Sequence, residues 1–520
     1  MFFSTLYMKR TNLLAQYRAK RLRKIALLAV SKRLEAVEAY KKNPLEIQRR
    51  VFNSLILRAK NTEWGKKYNY NEIKSFKNFI DTVPVNNYES LEPYIKRLIS
   101  GETNLLWPGK TKNFAKSSGT TSSKSKFIPV TKEALKECHF QAGKDMLAMY
   151  FKQRPNSKFF IGSSFSLGGS RQNQELGKDK FIGDVSALIM NKLPVWAQAR
   201  RVPRLKVACM SEWEEKLQKI SEIIIKKNII SLSGVPSWML VLSRKILDMT
   251  GTDNLLEVWP NLELFIHGGV NFSPYKEQFK KIIPTDIVDY LEAYNASEGF
   301  FAFQDDLNRN DMLLSLDSGV FYEFMSLEEL DKDKPQTLMI DQVELDVNYA
   351  LIISTNAGLW RYAVGDTIKF TSLYPHRIVV SGRVKSFINA FGEELIVENA
   401  DKAMEETCKQ LNTVIKDYTA APVYMTNNTQ GAHQWIIEFE KAPQDVENFA
   451  EVLDSELKKV NSDYEAKRYK DKVLTRLKLV VARDNLFYDW LEKQNRLGGQ
   501  CKVPRLSNNR KIVDELLQIN

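Results

Sequence analysis

The stretch KNFAKSSGTTSSKSKFIPVTKEALKE, Lys112 to Glu137, sets a strand-like run, a loop, a second strand-like run and a helix-like run end to end. Its middle, Ser117 to Lys126, holds hydroxyls, one glycine and two lysines. Such a loop suits phosphate. Backbone N–H groups near Gly119 and the hydroxyls of Ser117, Ser118, Thr120 and Thr121 can face phosphate oxygens, with Lys126 as a point charge. A P-loop needs G-x-x-x-x-G-K-[ST] opening a helix. Here four residues separate Gly119 from Lys124-Ser125, the second glycine is missing, and the loop feeds a strand. A Walker-type nucleotidase is therefore disfavoured. A flexible phosphate clamp and a plain serine-rich surface loop both remain open at this point.

A chain of 520 residues has room for two or three domains. Hydrophobic residues at 43% and charged residues at 27% are ordinary for a globular protein. Cys138, Cys209, Cys408 and Cys501 are scattered without CxxC spacing, which points to a reducing compartment. His139, His267, His376 and His433 are equally dispersed, and no HExxH or Cys/His cluster suggests zinc. The longest uncharged stretch, Asn228 to Ser243, is too short to span a bilayer and is broken by Pro236. The first residues lack the pattern of a signal peptide, so the expected location is cytoplasmic, with no stable membrane insertion.

The net charge of +13 is concentrated at one end: residues 1–60 hold 15 Lys/Arg against 3 Asp/Glu. Apolar residues recur there at helical spacing, at Leu13, Leu14, Tyr17, Leu22, Ile25 and Leu28. A basic amphipathic helix could lie on lipid or RNA. The favoured reading is a first helix that packs its stripe on the body and solvates its lysines, with no nucleic-acid partner.

Apolar strand-like runs alternate with helices through the middle of the chain, as in LELFIHGGVNF and DIVDYLEAYNASEGFFAFQ, which predicts an α/β sheet. Thr131 stands as the N-cap of a helix, and Gly234-Val235-Pro236 as a turn before another. Around Asn356-Ala357-Gly358 two β-rich runs predict an antiparallel excursion. A boundary is expected near Ser381, after which the pattern reads β-α-β-β-α-β. The expected organisation is a helical arm over 1–60 that is part of the large domain, a large α/β domain over 61–380 and a small mobile α+β domain over 381–520.

Three further constellations carry chemistry. EAYNASEGF, Glu292 to Phe300, ends a strand where open α/β sheets bind ligands. Tyr294 could stack on a base, Ser297 could face the same ligand, and Glu298 could hold Mg2+. In GLWRYAVGDTIKF, Asp366 follows Gly365 in an expected turn, and its two oxygens could accept both hydroxyls of a ribose. In SGRVKSFINAFGEEL, Arg383 sits just past the boundary, placed to touch a nucleotide. Each alone has an ordinary structural explanation.

In this order the motifs resemble the adenylate-forming superfamily, and more closely the GH3 family of acyl acid–amido synthetases. SSGTTSSKSKFIPVT is similar to that family's phosphate loop, YNASEG to its tyrosine-to-glutamate motif and RYAVGD to its Tyr-x-x-Gly-Asp motif; LWRYAVGD, SWMLVL and INAFGEEL resemble its bacterial branch. The resemblance runs from about residue 30 to the end. It implies ATP and Mg2+ as cofactors, with Ser117, Ser118, Gly119, Thr120, Thr121 and Lys126 at the phosphates. Tyr294 and Ser297 would serve the adenine and α-phosphate region, Glu298 the metal, Asp366 the ribose and Arg383 the nucleotide from the hinge. Lys502, in GQCKVPR, resembles a late lysine that approaches the phosphates from the small domain. Ser123 departs from the family, which often has glycine there.

The implied partners are a small carboxylic acid and an amine, an amino acid by that resemblance. The acid would attack ATP to give an acyl-adenylate and pyrophosphate, and the amine would then take the acyl group. Acyl-CoA formation is the alternative within enzymes; a basic RNA- or membrane-binding protein, or a nucleotide-binding regulator without turnover, are the alternatives outside them. His267, Gly268, Gly269, Trp238 and Gly162–Gly169 are candidates for an acyl pocket, although core packing accounts for the apolar ones equally well.

Overall fold

The computed structural model describes residues 32–117, 126–169, 180–269, 272, 275–330, 332–384, 387–388, 390–391, 393, 395–424, 431–468, 474–494 and 502–520. In the first two-thirds of the chain the strands are β1 (Asn113–Ser117), β2 (Lys126–Val130), β3 (Ser163–Leu167), β4 (Phe181–Gly183), β5 (Arg201–Val202), β6 (Ile229–Gly234) and β7 (Leu264–Gly268). They are followed by β8 (Asp289–Asn295), β9 (Phe300–Phe303), β10 (Met312–Leu314), β11 (Val320–Ser326), β12 (Asn348–Thr355), β13 (Tyr362–Leu373) and β14 (His376–Arg383).

Eleven of these strands form one sheet in the order β11-β12-β13-β14-β10-β9-β8-β7-β6-β3-β5. From β11 to β8 every neighbouring pair is antiparallel, and from β8 to β5 every pair is parallel. Strand β8 is therefore the switch, parallel to β7 on one side and antiparallel to β9 on the other. Helices Pro236–Thr250 and Lys276–Ile282 make the crossovers into β7 and β8. The strands are covered on both faces, so β9 and β12 read as near-continuous apolar runs, FFAF and NYALIIST. A second sheet, β2-β1-β4, pairs the two ends of the hydroxyl-rich stretch: Ser117 and Lys126 are register partners across β1 and β2. The Thr131 hydroxyl caps the helix that follows, accepting the Ala134 N–H at 3.0 Å.

Beyond Arg383 come the short pair β15 (Phe387–Ile388) and β16 (Leu395–Ile396), helix Val397–Leu411, β17 (Val414–Val423) and β18 (Ala432–Lys441). Helices Val446–Val460 and Ser462–Arg468, β19 (Lys478–Val481) and helices Leu486–Lys493 and Lys511–Leu517 follow among the described residues. The three long strands form a sheet in the order β17-β18-β19, with its own core around Tyr418, Trp435, Phe449 and Leu453. A separate apolar layer joins this unit to the parallel half of the large sheet, where Trp238, Phe265 and Phe279 cluster with Ala421, Ile436 and Trp490. The mixed α/β architecture predicted above, a large sheet-and-helix body with a smaller α+β unit, is the observed one.

One local expectation changes. Gly365-Asp366 is not a turn but lies inside β13, where Gly365 takes φ +89 and the pairing with β12 slips out of register. A glycine with positive φ lets a strand bulge without ending it. Near the boundary expected at Ser381, β14 pairs with β13 as far as Arg383 opposite Asp366.

At the N-terminal end, helix Pro44–Ala59 buries Phe52, Leu55 and Ile56, and the Phe52 ring meets Phe321 at 5.0 Å. Arg33 bridges Asp145 at 2.7 Å and Asp317 at 2.9 Å, and Lys41 reaches Asp305 at 2.8 Å. Part of the arm's basicity is thus spent on contacts with the body. The apolar stripe from Leu13 to Leu28 lies outside the described residues. Among the described residues no helix is long and apolar enough to cross a membrane.

Candidate active site

Ligands of open α/β sheets sit beyond the carboxyl ends of strands at the point where the strand order switches. Here that point is the end of β8. Tyr294 lies in its last turn of pleat, and a tight turn from Ala296 to Gly299, closed by an N–H to carbonyl bond of 2.8 Å, carries Ser297 and Glu298.

Tyr294 Oη donates to Asp366 Oδ2 at 2.6 Å, and Arg383 Nε reaches Asp366 Oδ1 at 3.0 Å. Strand β8 and the β13–β14 hairpin, far apart in sequence, thereby meet at one carboxylate. Tyr294 and Asp366 are 9% and 8% exposed, whereas the Arg383 side chain keeps 46% of its surface in solvent. The Tyr294 contact is thus the shielded one and the Arg383 contact is screened. Tyr362 heads β13 beside this cluster. Its position is set by Arg361, which turns the chain at φ +43 and is buried against Glu323 at 2.9 Å while donating to the Val83 carbonyl at 2.6 Å.

The Glu298 carboxyl is pushed up to about 7 by burial, with the neighbouring Asp366 charge acting in the same direction and its own backbone N–H, Arg383 and Lys126 acting against it. Lys126 begins β2 and places its ammonium 5.5 Å from the Tyr88 ring centre, close enough to act on Glu298. Ser117 ends β1 opposite it; Ser118, Gly119, Thr120 and Thr121 lie outside the described residues. Lys502 comes from the C-terminal unit to the carboxyl end of β7: a Cβ added to Gly269 would stand 3.4 Å from its Nζ. The structure therefore brings Tyr294, Ser297, Glu298, Asp366, Arg383 and Lys126 to one region, with Lys502 at the end of the adjacent strand.

The expected acyl-pocket residues divide. Trp238 packs on Trp213 at 4.5 Å in the apolar layer shared with the C-terminal unit. Gly162 lies against Ile230 and the Asn228 carbonyl, which leaves no space for a Cβ. The carbonyls of Gly168 and Gly169 accept from the buried Lys216 ammonium at 2.7 and 3.2 Å. His267 stacks on Phe272 at 4.1 Å between ring centres. Sequence reasoning assigned no role to Arg361 or Glu292. The signal for Glu292 was its position two residues before Tyr294 in an apolar strand, which puts both on one face.

The switch-point cluster and the mixed sheet define the adenylate-forming class of fold. Within that class the family is shown by sequence: residues 33–288 match the GH3 family N-terminal domain, 313–383 the GH3 family central domain and 398–511 the GH3 family C-terminal domain. The chain belongs to the GH3 family. It is 22% identical to indole-3-acetic acid-amido synthetase GH3.3 of Arabidopsis thaliana, with 93% of each chain covered. It is 21% identical to jasmonoyl--L-amino acid synthetase JAR4 of Nicotiana attenuata, over 66% of this chain and 69% of that one. Its fold matches that of GH3.15 acyl acid amido synthetase with a TM-score of 0.75 at 16% identity, covering 94% of this chain and 96% of the other.

Proposed function

We propose that this protein is an ATP-dependent acyl acid–amido synthetase that activates a small carboxylic acid as its adenylate and passes the acyl group to an amine, an amino acid in the first instance. The observation that carries this reading is the meeting of Tyr294, Asp366 and Arg383 at the switch point beside Glu298 and Lys126, in a chain of the GH3 family. The amine acceptor rests on family membership and on relatives that are amido synthetases.

In this reading Asp366 accepts hydrogen bonds from the ribose, held in place by Tyr294 and Arg383. The phosphate loop between Ser117 and Lys126, Ser118, Gly119, Thr120 and Thr121 among its residues, faces the triphosphate, with Ser297 at the α-phosphate. The acid's carboxylate attacks the α-phosphorus, an O–P bond forms, the bond to the bridging oxygen breaks, and pyrophosphate leaves. Both reactants are anionic, so preorganised positive charge from Lys126 and Lys502 lowers the barrier. No protein nucleophile is needed, because holding the two reactants in line supplies much of the rate.

The residues fit a Mg2+ ion. Such an ion keeps several waters and takes only one or two protein carboxylates beside the substrate's phosphates. Glu298 offers one carboxylate, half-buried and hydrogen-bonded by its own backbone N–H, whereas no cluster of three ligating side chains stands among the described residues. When bound, Mg2+ would neutralise charge on the phosphates.

The second half-reaction requires a different environment at the same carbonyl. The C-terminal unit, joined near residues 381–384 and bringing Lys502 to the site, is suited to turn between the two steps. The test is ATP–pyrophosphate exchange over a panel of carboxylic acids, followed by mass analysis of products with an amino-acid mixture or with CoA. Acid-dependent exchange and an amide are expected. A thioester without amide would overturn the acceptor, and the absence of exchange with every acid would overturn the activity.

A further inference from the structure

Strand alternation puts Tyr290, Glu292 and Tyr294 on one face of β8. Their neighbours on β7 are set by register: Phe265 stands beside Tyr290 and His267 beside Glu292. The rings build a wall. His267 stacks on Phe272 at 4.1 Å, Phe272 lies 5.2 Å from Tyr290, and Phe265 lies 5.6 Å from His267. Within this wall His267 Nδ1 and Tyr290 Oη are buried without a hydrogen-bond partner. Among the described residues the Glu292 carboxyl also meets neither a cation nor a donor; only its backbone is bonded, to Gln304. Buried polar groups are rarely left unmatched. Two of them, His267 Nδ1 and Tyr290 Oη, share one face of two adjacent strands with the half-buried Glu292 carboxyl. Tyr294 and Gly269 lie two residues further along β8 and β7, about 7 Å by strand rise. Those two positions lead to Asp366 and to Lys502.

An unpaired carboxylate against aromatic faces is a site for an ammonium group. We propose that Glu292 is the general base of amide formation, binding the acceptor's ammonium beside His267, Phe272 and Tyr290 and taking its proton. The proposal rests on the amido-synthetase reading. An amino acid near pH 7 is mostly ammonium and cannot attack until it loses a proton. That proton passes to Glu292 and frees the nitrogen lone pair. The pair attacks the carbonyl carbon of the acyl-adenylate, and the C–N bond forms. The C–O bond to phosphate then breaks, and AMP leaves with its electron pair. The second nitrogen proton goes to water as the adduct collapses, and Glu292 returns its own proton to solvent.

The titratable groups around the carboxyl suit this task. Burial alone pushes Glu292 up to about 7, where a carboxylate accepts a proton readily near neutrality. Burial holds His267 down to about 3, so it faces Glu292 from β7 as a neutral ring. Tyr290, raised to about 12 by burial, and Tyr294 on the same strand stay protonated, and Gln304 from β9 is uncharged.

The experiment uses the full chain with Glu292→Gln and Glu292→Asp, the acid selected by wild-type exchange, and two acceptors: an amino-acid mixture, and hydroxylamine, which is mostly unprotonated at pH 7. General-base loss should lower amide formation with amino acids at pH 7 by about 10²-fold in Glu292→Gln relative to its own pyrophosphate exchange. The deficit should shrink toward pH 9 and be much smaller with hydroxylamine, and Glu292→Asp should recover part of it. Equal loss with both acceptors, or a deficit independent of pH, overturns the proposal. A parallel fall of exchange in a folded variant also overturns it, because Glu292 would then serve an ammonium on the acid itself. If Glu292→Gln does not fold, the pH profile of Glu292→Asp decides, and an unchanged amide-to-exchange ratio counts against the base. A wild-type enzyme that makes only thioester refutes the amido reading instead.

Discussion

Removing the Tyr294 hydroxyl tests the geometry on which the nucleotide assignment depends. Tyr294→Phe keeps the ring, its burial and any stacking surface, and deletes one hydrogen bond of 2.6 Å to Asp366. Bonds of this kind to a charged partner contribute about 1.5–3 kcal/mol, or roughly 10- to 150-fold. The Arg383 contact does not compensate, because nearly half of that side chain is in water and its pull is screened. The expected result is a fall of about 10- to 100-fold in kcat/KM for ATP in acid-dependent pyrophosphate exchange. Asp366→Asn should cost at least as much. The double variant should be little worse than Asp366→Asn alone, because the tyrosine acts through the aspartate. Losses that multiply in the double variant would refute the reasoning, as would an unchanged kcat/KM in Tyr294→Phe.

Lys126→Ala and Glu298→Ala should each lower exchange by about 10²-fold or more, and Glu298→Ala should also raise the Mg2+ concentration needed for half-maximal rate. Exchange should rise as pH passes about 7, where the Glu298 carboxyl ionises, and Glu298→Gln should remove that rise. The sign for stability is opposite. A carboxyl whose folded value lies above its ordinary 4.5 stabilises the fold below about pH 4.5, and that contribution is lost as pH rises through about 7. Thermal unfolding of the free chain across that window should therefore vary less in Glu298→Gln. Replacing the lysines and arginines between residues 9 and 24 by glutamine should leave exchange within about threefold, since none of them is assigned to the chemistry; a collapse of turnover with ATP affinity intact would give the arm a part in the chemistry.

The switch-point strands and the two strands that flank the hydroxyl-rich stretch were legible because they depend on local pattern. Alternation, a capping threonine and hydroxyl-rich punctuation can be read without knowing what they pack against. Gly365-Asp366 misled because glycine followed by aspartate is a turn signal, and long-range pairing with β12 and β14 overrode it. The strand that runs up to the boundary expected near Ser381 continues to Arg383, a detail set by its pairing with Asp366 on another strand. Glu292 was invisible as a functional group, since its lack of partners depends on register with β7 and on Phe272. Arg361 was passed over inside its own motif, because the carboxylate that holds it, Glu323, comes from β11.

The apolar layer that Trp238, Phe265 and Phe279 share with Ala421, Ile436 and Trp490 gives the catalytic cycle a thermal signature. Turning the C-terminal unit away from the parallel half uncovers part of that layer, and exposed apolar surface raises heat capacity. The contact also weakens on cooling, as hydrophobic contacts do. Pyrophosphate exchange, which stays within one arrangement, should follow a nearly straight Arrhenius line. If the C-terminal unit turns between the two half-reactions as proposed, the line for complete amide synthesis should curve, and the two should diverge most in the cold.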